Sequence, residues 1–144
     1  MKKIVSSIVA LLLCLCVAIP SSAQEAISAR NQMDILSMSG TVMIQTTDSS
    51  FDISGGGIAH MVADMIAVSS THPVKSTKVV ASLMQDGKTI KTFTATADDG
   101  FASLDKLYAV YSDHEYRVKY VFYAYSTDGL SENITVYSQY VYYD

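Results

Sequence analysis

From Glu115 to Tyr125 apolar and polar positions alternate without a break: Tyr116, Val118, Tyr120, Phe122 and Ala124 share one parity, and Arg117, Lys119, Val121, Tyr123 and Tyr125 the other. Successive side chains of an extended backbone point to opposite faces. A period of two, filled with β-branched and aromatic residues, therefore selects a strand with one core face. Thr127, Asp128 and Gly129 supply turn chemistry between Ser126 and Leu130, and Glu132 to Tyr143 returns as a second alternating segment. The unit reads as a long antiparallel hairpin. A slip of one residue in its loop exchanges Ile134, Val136 and Tyr140 for Thr135, Tyr137 and Val141 at the core, so the pattern leaves the faces of the returning strand open.

Upstream, Thr41 to Thr47 predicts a first strand, and the cluster Asp48, Ser49, Ser50 predicts a turn before Phe51 and Ile53. Ser54 to Gly57 punctuates the chain again. Its three consecutive glycines read as a turn or bulge, because no phosphate-binding fingerprint and no Lys-Ser pair surrounds them. Ile58 to Ser69 is ambiguous by periodicity: Ile58, Met61, Val62, Met65 and Ile66 fit a helical stripe, while Ile58, Val62, Ile66 and Val68 fit one face of a strand. Alanine and methionine favour helix locally, but the neighbouring strands need a partner of similar length, and strand is the expectation. Lys78 to Gln85, Asp86-Gly87 and Lys88 to Thr96 form the clearest tight hairpin. Val79, Ala81 and Leu83 share a parity that Ile90 and Phe93 do not both match across the turn, which predicts a bulge or twist. Asp98, Asp99 and Gly100 turn the chain once more, Phe101 to Leu107 is a further strand, and Tyr108 to His114 connects it to the long hairpin.

About seven short strands separated by turn signals, without a repeat or an internal linker, predict an all-β fold: a two-sheet antiparallel β-sandwich of immunoglobulin-like type over residues 41–144. Leu104, the connection through Tyr108, the start Tyr116-Arg117-Val118 and the turn Asp128-Gly129-Leu130-Ser131-Glu132 resemble the end of a fibronectin type III or immunoglobulin-like module. More narrowly, Ile53 to Ala59, Val79 to Lys91 and Glu115 to Ser138 resemble small secreted β-sandwich proteins of Gram-positive bacteria, a family without an assigned activity. The resemblance runs from about Phe51 to the end and rests on strand spacing and tyrosines. It implies a secreted binding or structural module. The chain departs from the pattern in having no Trp on the arm around Lys91 to Phe93, where Phe93 is the candidate for the packing role.

The amino terminus sets the compartment. Lys2 and Lys3 precede an apolar run from Ile4 to Ile19, closed by Pro20 and the small residues Ser21, Ser22 and Ala23. This is the plan of a secretory signal peptide, residues 1–23, with cleavage expected after Ala23 and a secreted, extracellular product. A lipoprotein is the alternative, but Leu13 and Leu15 stand before Cys14 and Cys16 where lipid attachment wants a small residue. Residues 24–40 read as a polar lead-in with no sustained period to order it. Both cysteines leave with the signal, so the mature chain has no disulfide and must be held by its core. Two of the ten basic residues also leave, and the remaining eight face fourteen acidic ones, a net charge of −6. That balance argues against nucleic acid as a partner. No membrane span is expected in the mature chain.

The inventory of reactive groups argues against an enzyme and calls for no cofactor or metal. His60, His72 and His114 are the only imidazoles, none at zinc-site spacing, and no Gly-x-Ser-x-Gly elbow frames a serine. His60 with Asp64 is the nearest approach to a pair, and Asp98-Asp99-Gly100 reads as a turn before it reads as a calcium loop. What exceeds an ordinary domain is that all ten tyrosines fall between Tyr108 and Tyr143. Tyrosine joins a large rigid contact to a polar tip, which suits stacking on sugars or docking a protein, although cross-strand aromatic pairs also stabilise a sheet on their own account. Tyr123, Tyr125, Tyr140 and Tyr142 are the candidate interaction residues, and a secreted, non-catalytic module binding an unknown protein or glycan is the expected function. A secreted effector, either a small antibacterial protein or an inhibitor, is the alternative; the Asn-Pro-Thr-Thr-Gly loop of the immunoglobulin-like cysteine protease inhibitors is missing.

Overall fold

A computed structural model describes residues 41–144. The signal peptide and the polar lead-in lie outside the described residues. Eight strands follow in order: β1 (Ile44–Ile53), β2 (Ile58–Ala67), β3 (Val74–Gln85), β4 (Lys88–Ala97), β5 (Phe101–Ala109), β6 (His114–Ser126), β7 (Ser131–Tyr137) and β8 (Val141–Tyr143). One sheet has the order β1-β2-β5 and the other β4-β3-β6-β7, with β8 also paired to β6. Every pairing is antiparallel. The expected two-sheet sandwich is therefore present, the chain changing sheets after β2, β4 and β5.

β6 is the centre of the larger sheet and follows its sequence pattern throughout. Tyr116, Val118, Tyr120, Phe122 and Ala124 are wholly buried and the opposite parity faces out. Tyr116 and Tyr120 are too polar to bury unsatisfied, and each phenol is bonded. Tyr120 donates to the Ser50 carbonyl in the other sheet at 2.6 Å. Tyr116 donates to the Tyr111 carbonyl at 2.9 Å and accepts from the Tyr111 amide at 3.2 Å, locking the β5–β6 connection to the strand it feeds. Burial pushes both phenols above the usual tyrosine range.

β2 is a strand, as the need for a sheet partner predicted, but its core face is the opposite one to the apolar set read from the sequence. Ala59, Met61, Ala63, Met65 and Ala67 are buried, while Ile58 and Ile66 stand exposed. The facing sheet explains this: Tyr116, Tyr120 and Phe122 fill much of the space between the layers, and alternating Ala and Met interdigitate with rings where β-branched residues all along would collide. The expected turn at Asp48 to Ser50 is absent. These residues continue β1, pairing in register with Asp64, Ala63 and Val62 of β2, because a long ladder outweighs local turn preference. The Asp86-Gly87 turn has positive φ at both residues, 48° and 79°, as a two-residue hairpin of matching twist requires, and the predicted irregularity sits between Leu83 and Met84. Phe93 is not the centre of the core. It lies half-buried at the margin, edge-on to Tyr108 with centroids 6.3 Å apart.

The returning strand takes neither of the two sets considered for it. Ile134 and Val136 face in, and so does Val141, because the chain spends one extra residue between them: Lys119 to Tyr116 is three steps on β6, Tyr137 to Val141 is four on the other side. Ser138 closes this bulge, its Oγ accepting from the Val118 amide at 2.8 Å while its own amide donates to the Val118 carbonyl at 2.9 Å. A last contact ties the sheets together. Glu132 accepts from the amides of Val42, Met43 and Ile44 at 3.1, 2.8 and 3.0 Å, fixing the entry to β1 against β7.

Candidate functional site

The outward parity of β3, β6, β7 and β8 forms one face that carries the four candidate tyrosines, but not as one cluster. At one end Tyr123 and Tyr125, two apart on β6, lie with ring planes 3° apart and centroids 6.2 Å apart. Lys78, opposite Tyr123 on β3, places Nζ 4.2 Å from the Tyr123 centroid and 5.7 Å from that of Tyr125. At the other end, about 20 Å along β6 at 3.3 Å per residue, Arg117 lies between two rings. Its Cζ is 4.7 Å from the centroids of both Tyr137 and Tyr140. Tyr142 flanks that end, opposite Glu115. Tyr137, Tyr140 and Tyr142 are 43%, 52% and 63% exposed, whereas Tyr123 and Tyr125 are half-buried, so the more accessible rings gather at Arg117.

Sequence reasoning missed Arg117 and Tyr137. Tyr137 and Tyr140 are three residues apart, a spacing that a continuous strand sends to opposite faces. The bulge at Ser138 brings both to the face of the sheet that carries Arg117. The available signal was that break in alternation, Tyr137-Ser138-Gln139-Tyr140, opposite a cation on β6.

Electrostatically the face is incomplete. Among the described residues every ion pair involves a histidine, so Lys78, Arg117 and Lys119 have no carboxylate partner there. The only outward carboxylate on these strands is Glu115, at the end. Arg117 Nε is shut away from solvent without a hydrogen-bond acceptor. A guanidinium over aromatic faces gains roughly 0.5–2 kcal/mol per contact, which holds the charge in place without neutralising it.

The three histidines are each paired with aspartate at separate places. His60 bonds Asp105 at 2.9 Å and lies 3.7 Å from Asp52, so its partners are not the Asp64 that sequence spacing proposed; in a strand, four residues along is about 13 Å away. His72 bonds Asp128 at 2.7 Å, joining the β2–β3 connection to the β6–β7 turn. His114 bonds Asp86 at 2.6 Å at the β3–β4 turn. A hydroxyl hydrogen bond from Ser126, with His72, holds the Asp128 carboxyl down to about 2, and the Glu115 amide with His114 lowers Asp86. Among the described residues no group of three or more His, Cys, Asp or Glu side chains is placed to hold a metal ion, and no helix is long and apolar enough to cross a membrane. Comparison with known proteins adds no relative: no protein-family profile matches the chain, and no curated protein matches it.

Proposed function

We propose that this chain is a secreted, non-catalytic binding module that engages a protein or glycan outside the cell through the outward face of β3, β6, β7 and β8. The observation that carries this reading is Arg117, a guanidinium walled by Tyr137 and Tyr140 with no carboxylate beside it. Unpaired cations set among exposed tyrosines are what binding surfaces use: the rings supply rigid area and the cation a directional, charge-assisted bond. Purified protein tested against arrays of glycans and surface proteins checks it, with Tyr140→Ser/Tyr142→Ser and Tyr123→Ser/Tyr125→Ser as two separate variants. Loss of capture in the first variant, with a cooperative melt retained, supports a site at the Arg117 end. Capture unaffected by either pair, or no capture by the wild type, contradicts it.

A further inference from the structure

The outer face of the other sheet is the electrostatic complement of this one. The outward parity of β1, β2 and β5 includes Asp48, Asp52, Asp64 and Asp105; the one Lys or Arg of these strands, Lys106, is exposed but sits on the other parity, opposite Met61. Asp48 and Asp64 are directly opposed across the β1–β2 ladder, and neither has a cation partner among the described residues. Like charges at that spacing destabilise a sheet, a cost that an incoming cation relieves. Beside them Thr46, Ile66 and Phe101 shape a mainly apolar depression of about 250 Å³, with Ile66 44% and Phe101 52% exposed. A depression floored by apolar groups and rimmed by two carboxylates fits a side chain that is flat or aliphatic along its length and positive at its tip. The opposite face of the same molecule presents such groups as Arg117 between Tyr137 and Tyr140, with Lys119 two residues along.

We infer that the occupant of the acidic face is a second copy of this chain, docking its Arg117 and Lys119 face onto Asp48, Asp64 and the Ile66–Phe101 depression. This rests on the reading of the tyrosine face as a docking surface and names one thing it docks to. The two surfaces differ and lie on opposite sides of the sandwich, so the contact is heterologous and leaves a free face at each end; it propagates as an open chain instead of closing as a dimer. The three-stranded face spans about 30 Å by 15 Å, from about ten residues of strand and three strand widths of about 5 Å. That is at the small end of specific interfaces, so the contact is weak and salt-sensitive.

Sedimentation of the wild type from about 10 μM to about 1 mM, the range suited to a contact of this area, is expected to show mass rising past that of two chains at low salt. It should fall back to one chain at about 0.5 M salt, where the screening length is about 4 Å. Asp48→Asn/Asp64→Asn keeps the cationic face and Arg117→Gln/Lys119→Gln keeps the acidic one, and the two neutralised faces have no charge with which to attract each other. Each alone should remain a single chain, and an equimolar mixture should form a species of two chains and no larger, which also shows that each variant is folded. A wild type that stays monomeric, stops at two chains, or associates equally well in either variant overturns the inference, as does a mixture that fails to pair. Should chains stay single while Tyr140→Ser/Tyr142→Ser still abolishes capture on the arrays, self-docking fails and the binding reading stands.

Discussion

Replacing Glu132 with alanine removes the acceptor for three amides that nothing else nearby replaces. Val42 is exposed and its amide turns to water, but Met43 and Ile44 are each 1% exposed and their amides are left without a partner. An orphaned buried donor costs roughly 1–3 kcal/mol, so two of them place the loss at roughly 2–6 kcal/mol. For a domain of about a hundred residues each kcal/mol moves the melting temperature by about 4–8 °C, giving a fall of about 8 °C or more. Glu132→Gln separates the acceptor from the charge. Met43 and Ile44 share Oε2, and an amide side chain can present its single oxygen there while its nitrogen faces the hydrated Val42 end, so about 1 kcal/mol is expected. Thermal and urea unfolding of wild type and both variants, followed by circular dichroism, reads the difference. An alanine variant within about 0.5 kcal/mol of wild type, the ordinary scatter of surface substitutions, would refute the view that this carboxylate fastens the start of β1 to β7.

Tyr116→Phe keeps the buried ring and removes both hydrogen bonds to Tyr111; a loss of about 1–3 kcal/mol is expected by urea unfolding, with ligand capture unchanged. At Gly100 a Cβ would lie 2.2 Å from the Ala67 carbonyl oxygen, whose residue also donates its amide to the Gly100 carbonyl, so Gly100→Ala must displace backbone; about 1–3 kcal/mol is expected, read by the same melt. Asp128 has a folded pKa depressed to about 2, so its contribution to stability is complete above its unfolded value near 4 and disappears as pH falls through about 2. Melting temperatures of wild type and Asp128→Asn should therefore differ at pH 5 and converge towards pH 2, and a constant gap over that range would contradict the assignment.

What the sequence makes legible depends on how local each cause is. In β6 the core parity is aromatic and β-branched while the other parity opens with Arg117 and Lys119, so one strand carries enough contrast to declare its buried face. β2 blurs it: its outward parity mixes Ile58, Val62 and Ile66 with His60 and Asp64, while the buried parity is Ala and Met, suited to the core by the size of Tyr116, Tyr120 and Phe122 in a sheet far away in sequence. Asp48 to Ser50 have the composition of a turn, and only the register with Ala63 and its neighbours makes them strand. The candidate site was half visible. Tyrosine density pointed to the face that carries Arg117, but the pairing of Tyr137 with Tyr140 needs the bulge at Ser138, and Arg117 gains meaning only once those rings stand on either side of it.

The central claim is that Arg117, set among exposed tyrosines, makes that face a docking surface. Its most direct test is the dissociation constant of the ligand captured on the arrays, measured for wild type and Arg117→Gln across a salt series. Affinity weaker by roughly tenfold or more and a shallower dependence on salt are expected, with a cooperative melt retained at a lower temperature because the two ring contacts are lost. Equal affinity and equal salt dependence in the two proteins would contradict it, and would leave the clamped guanidinium as a brace between β6 and the last strand.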